Sequence, residues 1–174
     1  MPNTSSILIN LIFLFTIKVL GVFFSLFIFQ KFTPLVDANL YLDHFYINSG
    51  EMRTLLVQII VFLLSGFNDF FIHLSFALIS SLGFIYGIIK FKLKSIFLIS
   101  LILPSSLVWT SVVGKDAIFF GFCTLLLFIW NSILTNRFNF YDLLFVILSI
   151  IICLIFRPHY LIGVLWLYYS LLII

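Results

Sequence analysis

An all-α integral membrane protein is the fold class that this sequence predicts. Of its 174 residues, 64% are hydrophobic and only 9% are charged, whereas soluble domains carry about 25% charged residues. Long apolar runs recur along the chain, and the polar residues cluster in the gaps between them. Because so much apolar surface is stable only in lipid, we expect five to six transmembrane helices in a single polytopic domain covering residues 1–174.

The predicted elements follow from the lengths of the apolar runs, since about 20 residues are needed to cross a bilayer. The predicted spans are Ser6–Phe29, Phe70–Ile89, Ser95–Val113, Ala117–Leu134, Leu143–Phe156 and Leu161–Ile174. The run Thr54–Phe67 is short, so we expect an interfacial or re-entrant helix there. The last run is still apolar where the sequence ends at Ile174. This favours the interpretation that the chain is the N-terminal fragment of a longer protein.

Two spans carry residues that are unusual in hydrocarbon. Lys18 lies deep in the first span, so its side chain must face the bundle interior or extend its amine towards the interface. Pro104 lies near the middle of the third span and predicts a kink, because proline donates no backbone hydrogen bond. Ser106 and Thr110 are four residues apart and so share a face, from which they can satisfy the freed backbone groups.

The orientation follows from the basic residues. Lys90, Lys92 and Lys94 form a dense cluster without a nearby acid in the sequence, and this pattern indicates the cytoplasmic side. Arg137 then shares that side, as does the N-terminus. Counting spans places the polar segment Gln30–Arg53 and the turns at residues 114–116 and 157–159 together on the opposite side.

Composition and spacing exclude several classes of function. A net charge of +3, without a basic run interleaved with aromatics, gives no indication of nucleic-acid binding. Cys123 and Cys153 lie inside apolar runs and are expected to be small buried side chains. Asp43, His44 and His73 have poor spacing for metal ligands, so no metal site is predicted.

The polar turns on one side carry the candidate site. Lys115, Arg157 and Arg53 offer cations for a phosphate, and His159 adds a donor or a proton relay. Asp37 follows the first span closely and is the candidate general base. The supporting residues are Tyr41 and Trp109, which suit the membrane interface, and Asp116, expected to cap the next helix.

Purely structural interpretations of these residues remain open. Asp37 would then cap a short helix, and Arg157 would neutralise the carbonyl groups at a helix end. Cations beside a carboxylate nevertheless match the needs of glycosyl transfer from a lipid-linked donor, which requires stabilisation of the leaving group and a base for the acceptor hydroxyl.

Three features together resemble a known family: Asp37 in the loop after the first span, the pattern Pro104-Ser-x-x-x-Trp109-x-Ser-x-x-x-Lys115-Asp116, and Arg157-Pro-His159. They are similar to GT-C-type polyprenyl-phosphate-dependent glycosyltransferases and O-antigen-polymerase-like proteins of bacterial surface-polysaccharide clusters. The chain departs from that family in lacking a paired acidic dipeptide in the first loop and in having fewer spans.

The resemblance implies a location and a set of partners. It implies a protein of the cell envelope, integral to the bacterial cytoplasmic (inner) membrane, with a lipid-linked sugar donor and a glycan or lipid acceptor at the extracytoplasmic face. Asp37 would act as the base or would bind a metal ion or the acceptor, and Lys115 and Arg157 would lie near the donor phosphate. These residues identify no definite cofactor, and they leave a divalent cation open.

Two other functions are alternatives. The apolar end at Ile174 supports a non-catalytic membrane subunit or a truncated fragment. Lys18 and the kink expected at Pro104 support a transporter or flippase, because charge and broken helices within the membrane mark transport pathways.

Overall fold

The computed structural model describes residues 4–43 and 51–170, and these residues form helices without any strand. The all-α prediction is therefore confirmed for this part of the chain. The α-helices are α1 (Thr4–Phe24), α2 (Gln30–Phe32), α3 (Val36–Leu42), α4 (Met52–Leu63), α5 (Asp69–Ile79), α6 (Leu82–Phe91), α7 (Ser95–Leu98), α8 (Pro104–Trp109), α9 (Lys115–Leu134), α10 (Phe140–Phe156) and α11 (Pro158–Ser170).

Few of these helices are continuous enough to cross a bilayer. Within the described residues, two helical stretches have the length and hydropathy of a span: Ser5–Phe32, in which α1 continues through a π-helical turn into α2, and α9. A third results if α5 and α6, which meet at an angle of 47°, count as one broken span. The prediction of five to six transmembrane helices thus exceeds what helix length supports.

Helix length explains part of this difference. At 17 residues, α10 rises only about 26 Å at 1.5 Å per residue, less than the ~30 Å of bilayer hydrocarbon. The 12 residues of α4 rise about 18 Å. The apolar run that ends at Ile174 contributes α11 as far as Ser170, and the last four residues lie outside the described part.

The predicted span Ser95–Val113 is wrong as a continuous helix. It consists of α7, a 3₁₀ turn over Ile99–Ile102, and α8. Leu103 adopts an extended backbone with ψ of 131° because the ring of Pro104 disfavours a helical conformation for the residue before it. A break in the helix therefore replaces the predicted kink. The Ser106 hydroxyl bonds the Ser100 and Leu103 carbonyls, at 3.0 and 2.9 Å.

Side-chain contacts define one end of the bundle, here called the cavity end. Glu51, just before α4, contacts Lys115 at the start of α9. Asp116 in the next position contacts Arg157, which follows α10. The apolar core beneath this end contains Val57 and Val61 of α4, together with Ile72, Phe76, Val113, Ala117, Ile118 and Phe156.

A second set of polar contacts defines the opposite end. The Asn10 side chain near the start of α1 donates to the Leu93 carbonyl at 2.8 Å and accepts from the Ser95 hydroxyl at 2.6 Å. The buried carboxylate of Asp142, in the first turn of α10, bonds the Lys90 ammonium. The basic cluster around Lys90 has no acidic neighbour in the sequence, but the fold brings the carboxylate of Asp142 to it.

Between the two ends, Lys18 is almost completely buried, with 1% of its surface exposed. Its amine donates to the Ser80 hydroxyl at 2.9 Å and to the Thr110 hydroxyl at 2.7 Å. Ser80 lies at the break between α5 and α6, and Thr110 follows the last residue of α8. Lys18 therefore faces the bundle interior and joins α1 to two helix breaks.

Candidate functional site

A cavity of about 460 Å³ lies at the cavity end. Its walls come from segments far apart in the sequence: the end of the first helix, α3, the start of α4, the segment between α8 and α9, and the residue after α10. Every predicted site residue except His159 lines it, namely Asp37, Tyr41, Arg53, Trp109, Lys115, Asp116 and Arg157. Their proximity is a structural finding, and their functional roles remain predictions.

The charged side chains that line the cavity balance one another. Three cations, Arg53, Lys115 and Arg157, face three carboxylates, Asp37, Glu51 and Asp116. Glu51 is a cavity residue that is not among the candidates indicated by the sequence. A ligand with a phosphate group therefore meets cations that already have carboxylate partners.

Glu51 contacts two of these cations through one oxygen. Its Oε2 atom is 3.1 Å from Arg53 Nε and 3.2 Å from Lys115 Nζ. The hydrogen bond from Lys115, together with the charge of Arg53, lowers the pKa of the Glu51 carboxyl below its ordinary value. Glu51 is therefore an anion at neutral pH, and its side chain is 55% exposed at the edge of the cavity.

The third cation, Arg157, is held by Asp116. Arg157 Nε and Nη2 both contact Asp116 Oδ1, at 3.0 and 2.6 Å. Gly114 occupies the N-cap position of α9, and Asp116 lies in the first turn of that helix. The prediction that Asp116 caps this helix is wrong, although a carboxylate in the first turn is still favoured by the helix dipole.

Tyr41 is a buried polar side chain in the cavity wall, and burial raises the pKa of its hydroxyl. The charge of Lys115 and its hydrogen bond to Tyr41 oppose that rise, and Thr54 contributes a further hydrogen bond. Tyr41 thus ties α3 to the first turns of α4 and α9. This contact explains how a residue more than 70 positions away in the sequence keeps Lys115 beside the cavity.

Asp37 lies in the first turn of α3, exposed to solvent, while the N-cap position belongs to Leu35. The interpretation of Asp37 as a helix cap is therefore wrong. Within the described residues Asp37 forms no ion pair, unlike the other two cavity carboxylates. Its carboxylate is consequently available to a ligand in the cavity.

His73 supports the cavity from below. Its buried Nδ1 atom accepts a hydrogen bond of 3.0 Å from the backbone N–H of Val113, a residue that lines the cavity. The polar character of His73 was visible in the sequence, but its partner was not, because the contact joins residues 40 positions apart. His73 therefore fixes the backbone that leads into Lys115.

His159 is the one predicted site residue that does not line the cavity. His159 is exposed, and its ring packs 4.5 Å from that of Tyr160 between centroids. Among the described residues, no three His, Cys, Asp or Glu side chains are grouped closely enough to hold a metal ion. His44, whose spacing from His73 and Asp43 is poor for metal binding, lies outside the described residues.

These features define an all-helical protein with stretches long and apolar enough to cross a membrane and with one charge-balanced polar cavity in its described part. No protein-family model, curated protein or solved structure matches the chain.

Proposed function

We propose that the chain is an integral membrane protein that transfers or polymerises sugars carried on a polyprenyl phosphate, at the extracytoplasmic face of a bacterial cytoplasmic membrane. The observation that supports this most strongly is the meeting of Asp37 with Arg53 and Lys115 in one cavity at the end of an apolar bundle. A headgroup bound there would keep its prenyl chain in the lipid beside the helices.

The membrane location is supported by the surface of the helices. Large apolar side chains are exposed along α1, α9 and α10, for example Leu8, Phe23, Leu127 and Leu148. Soluble monomers rarely expose contiguous apolar patches of more than a few hundred Å². Lipid contact accounts for such a surface without a further protein partner.

The path of the chain between the two ends supports five crossings, some of them broken. The stretch Ser5–Phe32 leads to the cavity end, the pair α5–α6 leads away from it, and the broken segment 95–113 returns. Helices α9 and α10 then add one crossing in each direction. In this arrangement α4 stays near the cavity end as an interfacial or re-entrant helix.

In the proposed reaction, an acceptor hydroxyl attacks the anomeric carbon of the donor sugar. The bond between that carbon and the phosphate oxygen breaks, and the electron pair stays on the phosphate. Lys115 and Arg53 stabilise the negative charge that develops there. Asp37 takes the hydroxyl proton as general base.

Loss-of-function variants test this proposal. We expect Asp37→Asn and Lys115→Ala to abolish assembly of the surface glycan in cells while both proteins still insert at normal levels. Asp69→Asn is the matched control, because Asp69 is an exposed carboxylate in the first turn of α5 and does not line the cavity. Normal glycan from both cavity variants would refute the proposed reaction.

Reporter fusions test the proposed orientation. Fusions at Ser49, Gly114 and His159 should report the extracytoplasmic side, and a fusion at Phe91 should report the cytoplasm. The first three positions must agree with one another for a shared external cavity. A result that divides them between compartments would remove the basis for the proposed site.

Transport is a second candidate, favoured by Lys18. Buried ionisable residues inside a membrane commonly mark a substrate pathway, and transporter sites form where helices break. A cysteine at Ser111 or Ser25 distinguishes the two functions. Both serines are buried; along the chain, Ser25 lies between Lys18 and a cavity-lining residue, and Ser111 lies between the Lys18 partner Thr110 and another cavity-lining residue. Labelling by a water-soluble thiol reagent at both positions supports a pathway, and labelling confined to the cavity supports the transferase.

A further inference from the structure

Glu51 places one carboxylate oxygen between two cations inside the cavity. Arg53 Nε and Lys115 Nζ approach the same Oε2 atom, at 3.1 and 3.2 Å. Guanidinium and ammonium groups that converge on one oxygen form the arrangement that proteins commonly use for a phosphate oxygen. The position of Oε2 thus marks where an anionic oxygen binds.

The Glu51 carboxylate is held loosely enough to leave. Its side chain is 55% exposed and that of Arg53 is 36% exposed, and exposed ion pairs contribute little to stability because water competes for both partners. Glu51 is the N-cap residue of α4, but its side chain makes no capping hydrogen bond, so the carboxylate can move without breaking one. A stronger anion would displace it at small cost.

The other ion pair in the cavity differs in geometry. Two nitrogens of Arg157 share one oxygen of Asp116, and Asp116 lies in the first turn of a 20-residue helix, where the dipole favours its charge. Displacing this carboxylate would break both hydrogen bonds, of 3.0 and 2.6 Å, to a single guanidinium. The two pairs therefore have different roles.

From this contrast, and resting on the proposed function, we infer that Glu51 is an internal occupant of the phosphate site: a ligand's phosphate group replaces its carboxylate on Arg53 and Lys115. Arg157 is then a positioning residue that holds Asp116 and the start of α9, rather than a phosphate ligand. The exchange of one anion for another keeps the cavity near neutrality. An uncharged ligand has nothing with which to displace Glu51, so the residue also selects for anionic headgroups.

Removing the internal competitor tests this inference. Binding is measured on the purified full-length protein in nanodiscs, with inorganic pyrophosphate as a free probe and undecaprenyl phosphate as a lipid probe. We expect Glu51→Gln to bind phosphate about three- to tenfold more tightly than the native chain, since two exposed ion pairs are lost. Lys115→Ala should bind much more weakly, and Asp69→Asn should match the native chain.

The two probes identify the source of the phosphate. A gain for Glu51→Gln with pyrophosphate assigns the site to a free phosphate, and a gain with undecaprenyl phosphate alone assigns it to a lipid headgroup. Equal or weaker binding by Glu51→Gln with both probes would overturn the inference. Glu51→Asp provides a second variant, since it keeps the charge on a shorter stem and should not reproduce the gain.

The result is separable from the proposed reaction. Tighter binding by Glu51→Gln, together with normal glycan from Asp37→Asn, would leave the phosphate site standing and refute the transferase. Loss of glycan from Asp37→Asn without tighter binding by Glu51→Gln would support the transferase and refute the role of Glu51 in the phosphate site. Melting temperatures of all variants exclude unfolding as the cause of either result.

Discussion

Arg157 contacts Asp116 through a single carboxylate oxygen, with Nε at 3.0 Å and Nη2 at 2.6 Å from Oδ1. The contact joins the residue that follows α10 to the first turn of α9. These two helices also pack against each other along their length. The pair therefore fixes the start of α9 next to the end of α10 at the cavity.

This contact predicts a measurable coupling between the two residues. We expect a double-mutant cycle of Asp116→Asn and Arg157→Gln, followed by thermal unfolding in detergent, to give an interaction of about 0.5–1 kcal/mol. The value is modest because both side chains are partly exposed, at 43% and 32%, and solvent screens such pairs. Strictly additive effects of the two substitutions would mean that the contact contributes nothing.

Asp142 at the opposite end predicts a pH dependence of stability. Burial of its carboxyl favours the neutral form, but hydrogen bonds from Lys90, the Asn139 backbone N–H and Tyr86 outweigh it, so the pKa of Asp142 lies below 3.8. A carboxyl whose pKa is lowered by folding stabilises the fold above its unfolded pKa, and this contribution disappears as the pH falls through the folded value.

The measurement compares Asp142→Asn with the native chain across pH. At pH 7 we expect the variant to melt at a lower temperature, and below about pH 4 the difference should shrink as the native carboxyl is protonated. Asp69→Asn, at an exposed site, should show a smaller difference at neutral pH. A gap between the native chain and Asp142→Asn that stays constant from pH 7 to pH 3 would contradict the assignment.

The two longest helical stretches were predictable from the sequence because each is a single long apolar run. The predicted spans Ser6–Phe29 and Ala117–Leu134 correspond closely to the stretch Ser5–Phe32 and to α9, since neither contains a proline or a polar break. The predicted spans were wrong where the helix is broken, as in 70–89 and 95–113. The break at Ser80 was missed because the sequence there has no proline or charged residue; the Ser80 hydroxyl donates to the Ala77 carbonyl within α5 and to the Thr110 carbonyl after α8.

The location of the candidate site was partly predictable because the order of the apolar runs fixes which turns lie on the same side. Counting spans places the turns that carry Lys115 and Arg157 on one side, and the structure brings both to one cavity. The sequence could not predict which charged residues form ion pairs, because the contacts Glu51–Lys115 and Asp116–Arg157 join residues 64 and 41 positions apart. Such pairs depend on how helices pack, which no local pattern encodes.

Lys18 predicts two opposite outcomes for two substitutions. The hydroxyls of Ser80 and Thr110 donate their own protons to backbone carbonyls and only accept from the amine. Lys18→Met therefore leaves no donor unsatisfied and fills similar space, so we expect nearly native stability or a slight gain. Lys18→Ala leaves a void and should cost about 2 kcal/mol or more.

Thermal unfolding of both variants in detergent is the measurement. If Lys18→Met melted as early as Lys18→Ala, the amine itself would be needed for the packing of α1 against the two helix breaks. Retained folding of Lys18→Met also makes it the suitable variant for transport assays, because any lost activity would then concern the amine and not the fold.

Gly121 predicts the sharpest packing defect. A Cβ atom at this position in α9 would lie 2.1 Å from the backbone carbonyl oxygen of Ile79, the last residue of α5. Backbone cannot yield as a flexible side chain does, so the two helices must separate, at a cost of about 1–3 kcal/mol. Gly121→Ala should lower the melting temperature and disturb the link between α5 and α9.

Gly163→Ala in α11 is the matched control, because nothing lies within 4 Å of a Cβ atom there. Alanine favours a helix over glycine by about 1 kcal/mol, so the control should match or exceed native stability while Gly121→Ala falls below it. A melting temperature of Gly121→Ala equal to that of the control would mean that α5 and α9 are not in close contact at Ile79.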